Sequence, residues 1–256
     1  MRGDVLVSEI LEQTMAQYDE IADLYDAGND RIGPFRRHVE EHTFWNIAGS
    51  VDGLTVFDVA CGDGAYSRAL AERGAKVVAM DQSAEMIRIA QQVEKEQELG
   101  IEYLVQDATE LASVGQFDLV TAIYLLHYAP SEEALESMCR GLRANVKDGG
   151  RLITLAFNPE IDPARADMTK YGFRLKLPEL EDGAECSIEV LLDPPFGFSF
   201  FYWSKDVHVR ALENAGFKNV VWHNSICSPE GLAEYPAGFW DGYLHNPHAV
   251  FISCEV

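Results

Sequence analysis

Three carboxylates stand at or near the ends of three short apolar runs. Asp58 lies within Val56-Phe-Asp-Val-Ala-Cys-Gly-Asp-Gly64, Asp81 follows Lys76-Val-Val-Ala-Met80, and Asp107 closes Ile101-Glu-Tyr-Leu-Val-Gln106. Gly62 and Gly64 let the backbone turn tightly beside a ligand at the end of the first run. A carboxylate at Asp81, followed by Gln82 and Ser83, can accept both hydroxyls of an enclosed ribose. Asp107 with Ala108 suits the amino edge of a purine, and Met86 can cover the purine face. Together the three acids favour a cationic or neutral ligand and repel a pyrophosphate. The nicotinamide-dinucleotide pattern G-x-G-x-x-G is broken, because Ser67 stands where its third glycine belongs.

Each of these residues also has a plain structural use. Asp81 can stabilise a helix N-terminus, Asp107 can be a solvated loop acid, and Asp58, inside its run, can fix the glycine turn. His127 and Tyr128 follow a fourth apolar run, where a reacting atom would lie. His127 is the candidate base or substrate partner, and Asn158 after the fifth run is a candidate substrate contact. Trp203 and Trp240 belong to an aromatic supply that either packs or stacks on a planar substrate.

The elements that must carry these groups follow from periodicity. Strands are expected over Thr55–Ala60, Lys76–Met80, Ile101–Gln106, Phe117–Tyr124 and Arg151–Phe157, with helices over Ala65–Arg73, Ser83–Leu99 and Ser131–Asn145. Ser83 and Ser131 are the expected N-caps. Strands alternating with helices at this spacing imply βαβ units and a doubly wound, mostly parallel seven-stranded sheet. Helical spacing over Leu6–Tyr25 and a second short helix over Phe35–Ala48 make residues 1–50 a helical cap or lid. Residues 54–157 are the cofactor-binding core and 158–203 a β-rich insertion on the substrate side. Residues 204–256 are a closing helix with an antiparallel strand pair, all within one domain.

Composition narrows the function classes. Of 256 residues 47% are hydrophobic, and 42 Asp plus Glu against 20 Lys plus Arg give a formal charge of −22. Such a field disfavours nucleic acid and anionic membrane surfaces and leaves a small neutral or cationic molecule as the expected partner. No apolar run approaches the ~18 residues of a membrane span, no secretory leader is recognisable, and five scattered cysteines suggest neither disulfides nor a zinc site. The expectation is a cytoplasmic protein with no metal.

The runs VFDVACGDGAYSRAL, VVAMDQSAEMIRIAQ, YLVQDATEL, FDLVTAIYLLHYA and DGGRLIT, in that order, resemble the motif series of class I S-adenosylmethionine-dependent methyltransferases. The N-terminal YDEIADLYD and the C-terminal SPEGLAEYPAGFWDGYLHNPHAVFI are similar to a narrower group that includes the toxoflavin-biosynthesis methyltransferase, which methylates ring nitrogens. The resemblance implies S-adenosylmethionine as cofactor and S-adenosylhomocysteine as product. It implies contacts to the methionine moiety from Ala60, Gly62 and the turn through Gly64, to ribose from Asp81, to the adenosine edge from Gln82, and to adenine from Asp107 and Ala108. Tyr124 would lie near the amino-acid end, and Tyr18 and Tyr25 would close over the cofactor and methyl group, Tyr18 as a candidate catalytic residue beside His127. The implied reaction is N-methylation of a small planar heterocycle, in keeping with natural-product biosynthesis. O-methylation of a hydroxyl acceptor and a non-catalytic cofactor-binding module are the alternatives.

Overall fold

The computed structural model describes residues 32–193 and 195–256. The expected helix over Leu6–Tyr25 and the candidates Tyr18 and Tyr25 lie outside the described residues. In chain order, helix α1 (Glu41–Ala48) continues a π turn at Arg36–Glu40 and is followed by β1 (Thr55–Val59), α2 (Ala65–Ala71), β2 (Lys76–Asp81), α3 (Ala84–Gln97), β3 (Glu102–Val105) and β4 (Phe117–Ile123). Then come α4 (Glu132–Ala144), β5 (Val146–Phe157), β6 (Phe173–Lys176), β7 (Glu185–Val190) and β8 (Phe196–Phe201). The chain closes with α5 (Lys205–Ala215), β9 (Lys218–His223), α6 (Pro229–Glu234), α7 (Asp241–His245) and β10 (Ala249–Glu255).

The main sheet has seven strands in the order β3-β2-β1-β4-β5-β10-β9. Only β10 runs against its neighbours, pairing antiparallel with both β5 and β9. The doubly wound sheet expected from the alternation is therefore present. The central strands β1 and β4 are mostly apolar and buried because both faces of the sheet are covered. One core lies on the side of Phe57, Leu126, Leu135 and Leu212, the other on the side of Val56, Leu70, Ile87 and Phe251. Ser83 and Ser131 cap α3 and α4 as expected, their Oγ atoms accepting the N–H groups of Met86 (3.1 Å) and Ala134 (3.2 Å).

Two features depart from the sequence expectation. β5 begins at Val146, because Gly149 (φ +75°) and Gly150 sit in an irregular stretch of the strand where the register against β4 shifts. The expected β-rich insertion is a three-stranded antiparallel sheet, β6-β7-β8. Two short helices, α6 and α7, occupy the stretch between β9 and β10 that carried no assignment. An aromatic cluster of Phe35, Tyr171, Phe173, Trp240 and Tyr243 joins the N-terminal helix, the insertion and α7. Among the described residues no helix is long and apolar enough to cross a membrane.

Strand order reverses between β1 and β4, and in open α/β sheets ligands sit at such a switch point, outside the carboxyl ends of the strands. The residues leaving these two strands, Ala60 (φ +59°) and Tyr124 (φ +60°), both hold left-handed backbone without being glycine. Such outliers persist only where the surroundings impose them, and they cluster at functional sites.

Candidate active site

A cavity of about 470 Å³ opens at this switch point, within the range of small-molecule sites. One half is walled by the ends of β1, β2 and β3 through Ala60, Gly62, Asp81, Gln82, Met86, Asp107 and Ala108. The other half is walled by Phe35, Phe173, Ile188, Val190, Phe196 and Phe198, so the insertion's sheet supplies most of an apolar face. Tyr124, Tyr128, Glu40 and His248 also reach the wall. Among the described residues its charged lining is five acids, Glu40, Glu41, Asp63, Asp81 and Asp107, and one cation, Arg36. That balance suits a cationic or neutral ligand.

The turn after β1 is held from β2. Asp81 accepts the Gly62 N–H through Oδ2 at 2.8 Å and the Ser83 N–H through Oδ1 at 2.9 Å. One carboxylate thus orders the glycine turn and the start of α3 while lining the cavity. Asp107 is exposed and caps a short turn, its Oδ1 accepting the Thr109 N–H at 2.7 Å and hydroxyl at 2.8 Å. A Cβ placed on Gly62 would meet no atom of the described residues within 4 Å. The space above this turn is therefore open for a ligand to fill.

Asp58 does not reach the cavity wall. It is 1% exposed and accepts the hydroxyls of Ser67 (2.6 Å) and Thr121 (2.7 Å), so it ties β1 to α2 and β4. Burial pushes its carboxyl up to about 6, against the pull of the two hydroxyls, with Asp81 adding repulsion. The folded protein therefore keeps a proton that the unfolded chain loses near 3.8. Stability from this group is fully present below that value and is lost as pH rises toward 6, a change of about 3 kcal/mol. Denaturant melts from pH 4 to pH 8 should show the loss in wild type and not in Asp58→Asn. Parallel curves for the two proteins would refute a buried, proton-holding Asp58.

The structure separates several other candidates from the cavity. His127 is buried off the wall, in ring contact with Tyr124, Tyr128 and Phe200. Burial drives its imidazole down to about 3, the charge of His208 and His248 adding to the effect, so the ring is neutral and a weak base. Asn158 donates through Nδ2 to the Pro247 carbonyl at 2.8 Å and holds the approach to β10. Trp203 donates to the Ala129 carbonyl at 3.0 Å, and Trp240 donates to the Gly231 carbonyl at 3.0 Å while stacking on Tyr171. Gly64, at φ +82°, starts α2, and a Cβ there would stand 2.5 Å from the Tyr103 hydroxyl.

Two groups on the wall were not singled out from the sequence. Glu40, 5% exposed, accepts the Tyr66 hydroxyl at 3.1 Å through Oε1 and the Tyr124 hydroxyl at 2.5 Å through Oε2. Burial raises its carboxyl above the usual carboxylate range. In sequence it sits in the polar run Arg36-Arg-His-Val-Glu-Glu-His42, which reads as a solvated helix face. The π turn at Arg36–Glu40 is what faces this stretch inward. His248, the second, shares a hydrogen bond with the Tyr243 hydroxyl at 3.1 Å through Nδ1 and lies parallel to the Tyr124 ring at 6.2 Å. Burial pushes it to about 3, so it is neutral.

Known proteins agree with this geometry. Residues 56–150 match the family model described as a methyltransferase domain. The chain is 36% identical over 118 residues to a ubiquinone biosynthesis O-methyltransferase of Bordetella avium, a match covering 44% of this chain and 48% of that protein, so it spans about half of that relative's length. It is 31% identical over 166 residues to a demethylmenaquinone methyltransferase of Renibacterium salmoninarum, covering 64% of this chain and 67% of that protein. The DhpI–SAM–HEP complex shares the fold with a TM-score of 0.63 at 20% identity, covering 96% of this chain and 98% of that one. The glycine turn, the acid-tipped strand ends and these matches place the chain in one family: it belongs to the class I S-adenosylmethionine-dependent methyltransferases.

Proposed function

We propose that this protein transfers a methyl group from S-adenosylmethionine to a nitrogen of a small planar heterocycle, as a single methyltransferase domain whose insertion walls the acceptor. The observation that carries this reading is the continuity of one cavity from the acid-tipped strand ends to an aromatic and aliphatic face. Among the described residues the wall fits the cofactor: they supply no cation cluster for a phosphate, leave open space over Gly62, and give the buried Oε1 of Gln106 no hydrogen-bond partner. Asp81 would take the ribose hydroxyls, Gln82 the adenosine edge, Asp107 and Ala108 the adenine, and the Ala60–Gly62 turn the methionine part. Met86 would cover the purine. When bound, the cofactor supplies an already activated electrophilic methyl group.

What remains for the chain is to hold the acceptor in line and keep water out. Phe173, Phe196 and Phe198 offer the flat apolar contact that a heteroaromatic ring requires. His127 and His248 are both pushed to about 3 by burial and are poor bases. A ring nitrogen with an available lone pair requires no base, which favours nitrogen over a phenol oxygen. The similarity of the terminal segments to the toxoflavin group supports the same choice, whereas the name of the Bordetella relative supports an oxygen acceptor.

Calorimetric titration should give micromolar binding of S-adenosylhomocysteine and none of NADH. Incubation with labelled S-adenosylmethionine and a panel of azaheterocycles and catechols, with products read by mass spectrometry, then decides the atom. Label on catechol oxygens alone would overturn the nitrogen reading. Cofactor binding without transfer to any acceptor would favour the binding-module alternative. Substitution of His127 by Asn should leave cofactor affinity within about twofold, since the ring is off the wall.

A further inference from the structure

We propose that the Glu40 carboxylate, gripped by the Tyr66 and Tyr124 hydroxyls at the junction of the two halves of the cavity, is the counter-charge for the sulfonium of S-adenosylmethionine. The site would then prefer the charged cofactor to its product, whose sulfur is neutral. The inference rests on the reading that this cavity binds that cofactor with its methyl group toward the aromatic half.

The placement comes from three elements. Tyr66 lies on α2, directly after the glycine turn. Tyr124 is the first residue beyond β4, at the switch point, and Glu40 closes the π turn before α1. All three line the cavity, and the Tyr124 ring lies against His248, which in turn packs on Phe35 and Phe173 of the aromatic half. A ligand whose adenosine occupies the ends of β2 and β3 and whose methyl group faces the aromatic half must bring its sulfur through this junction.

The chemistry of the junction suits a cation that neither donates nor accepts a hydrogen bond. A sulfonium is recognised only by opposite charge and by the electron-rich faces of aromatic rings, and the junction supplies one carboxylate and two phenol rings. Both carboxylate oxygens already receive a hydroxyl, so Glu40 is held in place before any ligand arrives. Burial and the charge of Glu40 raise both phenols well above their ordinary range, so they stay protonated and donate to Glu40; burial raises the Glu40 carboxyl too, while Arg36 and the two hydroxyls favour its charged form. Among the described residues, the groups that face Glu40 are Arg36, Glu41, Tyr66, Tyr124 and, from α7, Tyr243. As transfer proceeds, the acceptor lone pair becomes the new N–C bond and the pair of the broken C–S bond stays on sulfur. The positive charge leaves sulfur with the methylated acceptor, and the attraction that held the cofactor lapses when release is needed.

The test compares affinities for S-adenosylmethionine and S-adenosylhomocysteine, which share every group except the charged methyl-sulfur centre. Wild type at pH 8 should prefer S-adenosylmethionine by roughly tenfold or more, the scale of one charge interaction in a partly buried site. In Glu40→Gln the preference should shrink toward unity, with S-adenosylhomocysteine affinity within about threefold of wild type. A second measurement uses wild type alone, with no dependence on how the variant folds: the preference should decline as pH falls and Glu40 takes a proton. An equal weakening of both ligands in Glu40→Gln would assign the carboxylate to a part common to both and overturn the proposal. A pH-independent ratio in wild type would overturn it as well. Failure of folded wild type to bind either ligand would instead remove the cofactor reading, and this inference with it.

Discussion

Replacing Asp81 by alanine is expected to weaken S-adenosylhomocysteine binding by about 100-fold or more, since the lost carboxylate would accept two ribose hydroxyls and each bond to a charged acceptor is worth about 1.5–3 kcal/mol. The loss has a second source. Asp81 holds the Gly62 and Ser83 N–H groups at 2.8 and 2.9 Å, so its removal also releases the turn beneath the methionine site. Asp81→Asn keeps one acceptor oxygen and should fall between the two. Calorimetric titration of the three proteins, with thermal melts confirming that each is folded, checks the order. An alanine variant that binds within threefold of wild type would mean that the ribose lies elsewhere.

The two glycines of the turn should fail in opposite ways. Gly64 has φ +82°, and a Cβ there would stand 2.5 Å from the Tyr103 hydroxyl and 3.1 Å from an Arg68 guanidinium nitrogen. Gly64→Ala should therefore cost about 2–3 kcal/mol of stability from backbone strain plus crowding. Gly62 has φ +55° with no atom of the described residues within 4 Å of an added Cβ. Gly62→Ala then carries only the backbone term of about 1–2 kcal/mol, but its methyl group enters the space assigned to the cofactor. The expected result is at least a tenfold loss of S-adenosylhomocysteine affinity in Gly62→Ala, with a smaller shift in melting midpoint than in Gly64→Ala. Equal binding by wild type and Gly62→Ala would show that the open space over the turn is not the cofactor's.

The outcome at His127 shows how far a sequence position can mislead. It follows β4 by four residues, close to where a reacting atom belongs, and an imidazole is the commonest general base. The short helical turn at Leu126–Tyr128 instead sends the ring among Tyr124, Tyr128 and Phe200, away from the wall. Its neighbour Tyr128 reaches the cavity. One residue of difference in a tight turn reverses which side chain faces the ligand, and no spacing rule resolves that. Asn158, Trp203 and Trp240 repeat the lesson. Each is a polar or aromatic candidate by residue type, and each spends its hydrogen bond on a backbone carbonyl away from the cavity.

The sequence by itself determined the repeating core. Alternating apolar strands and capped helices from Thr55 to Phe157 define βαβ units whose ligand lies at the strand ends, and local glycine, serine and aspartate chemistry marks those ends. That Gly62, Asp81, Gln82, Asp107 and Ala108 lie on the cavity wall was legible because each stands at or just past the end of a strand whose apolar pattern fixes where it ends. The tertiary structure decided which residues line the apolar half of the cavity. Glu40, Phe173, Phe198 and His248 come from four segments far apart in sequence, brought together by a π turn, a three-stranded sheet and the insertion of β10 between β5 and β9. Their contacts depend on how long connections fold back over the sheet, and that is set by packing between elements, with no local period to announce it.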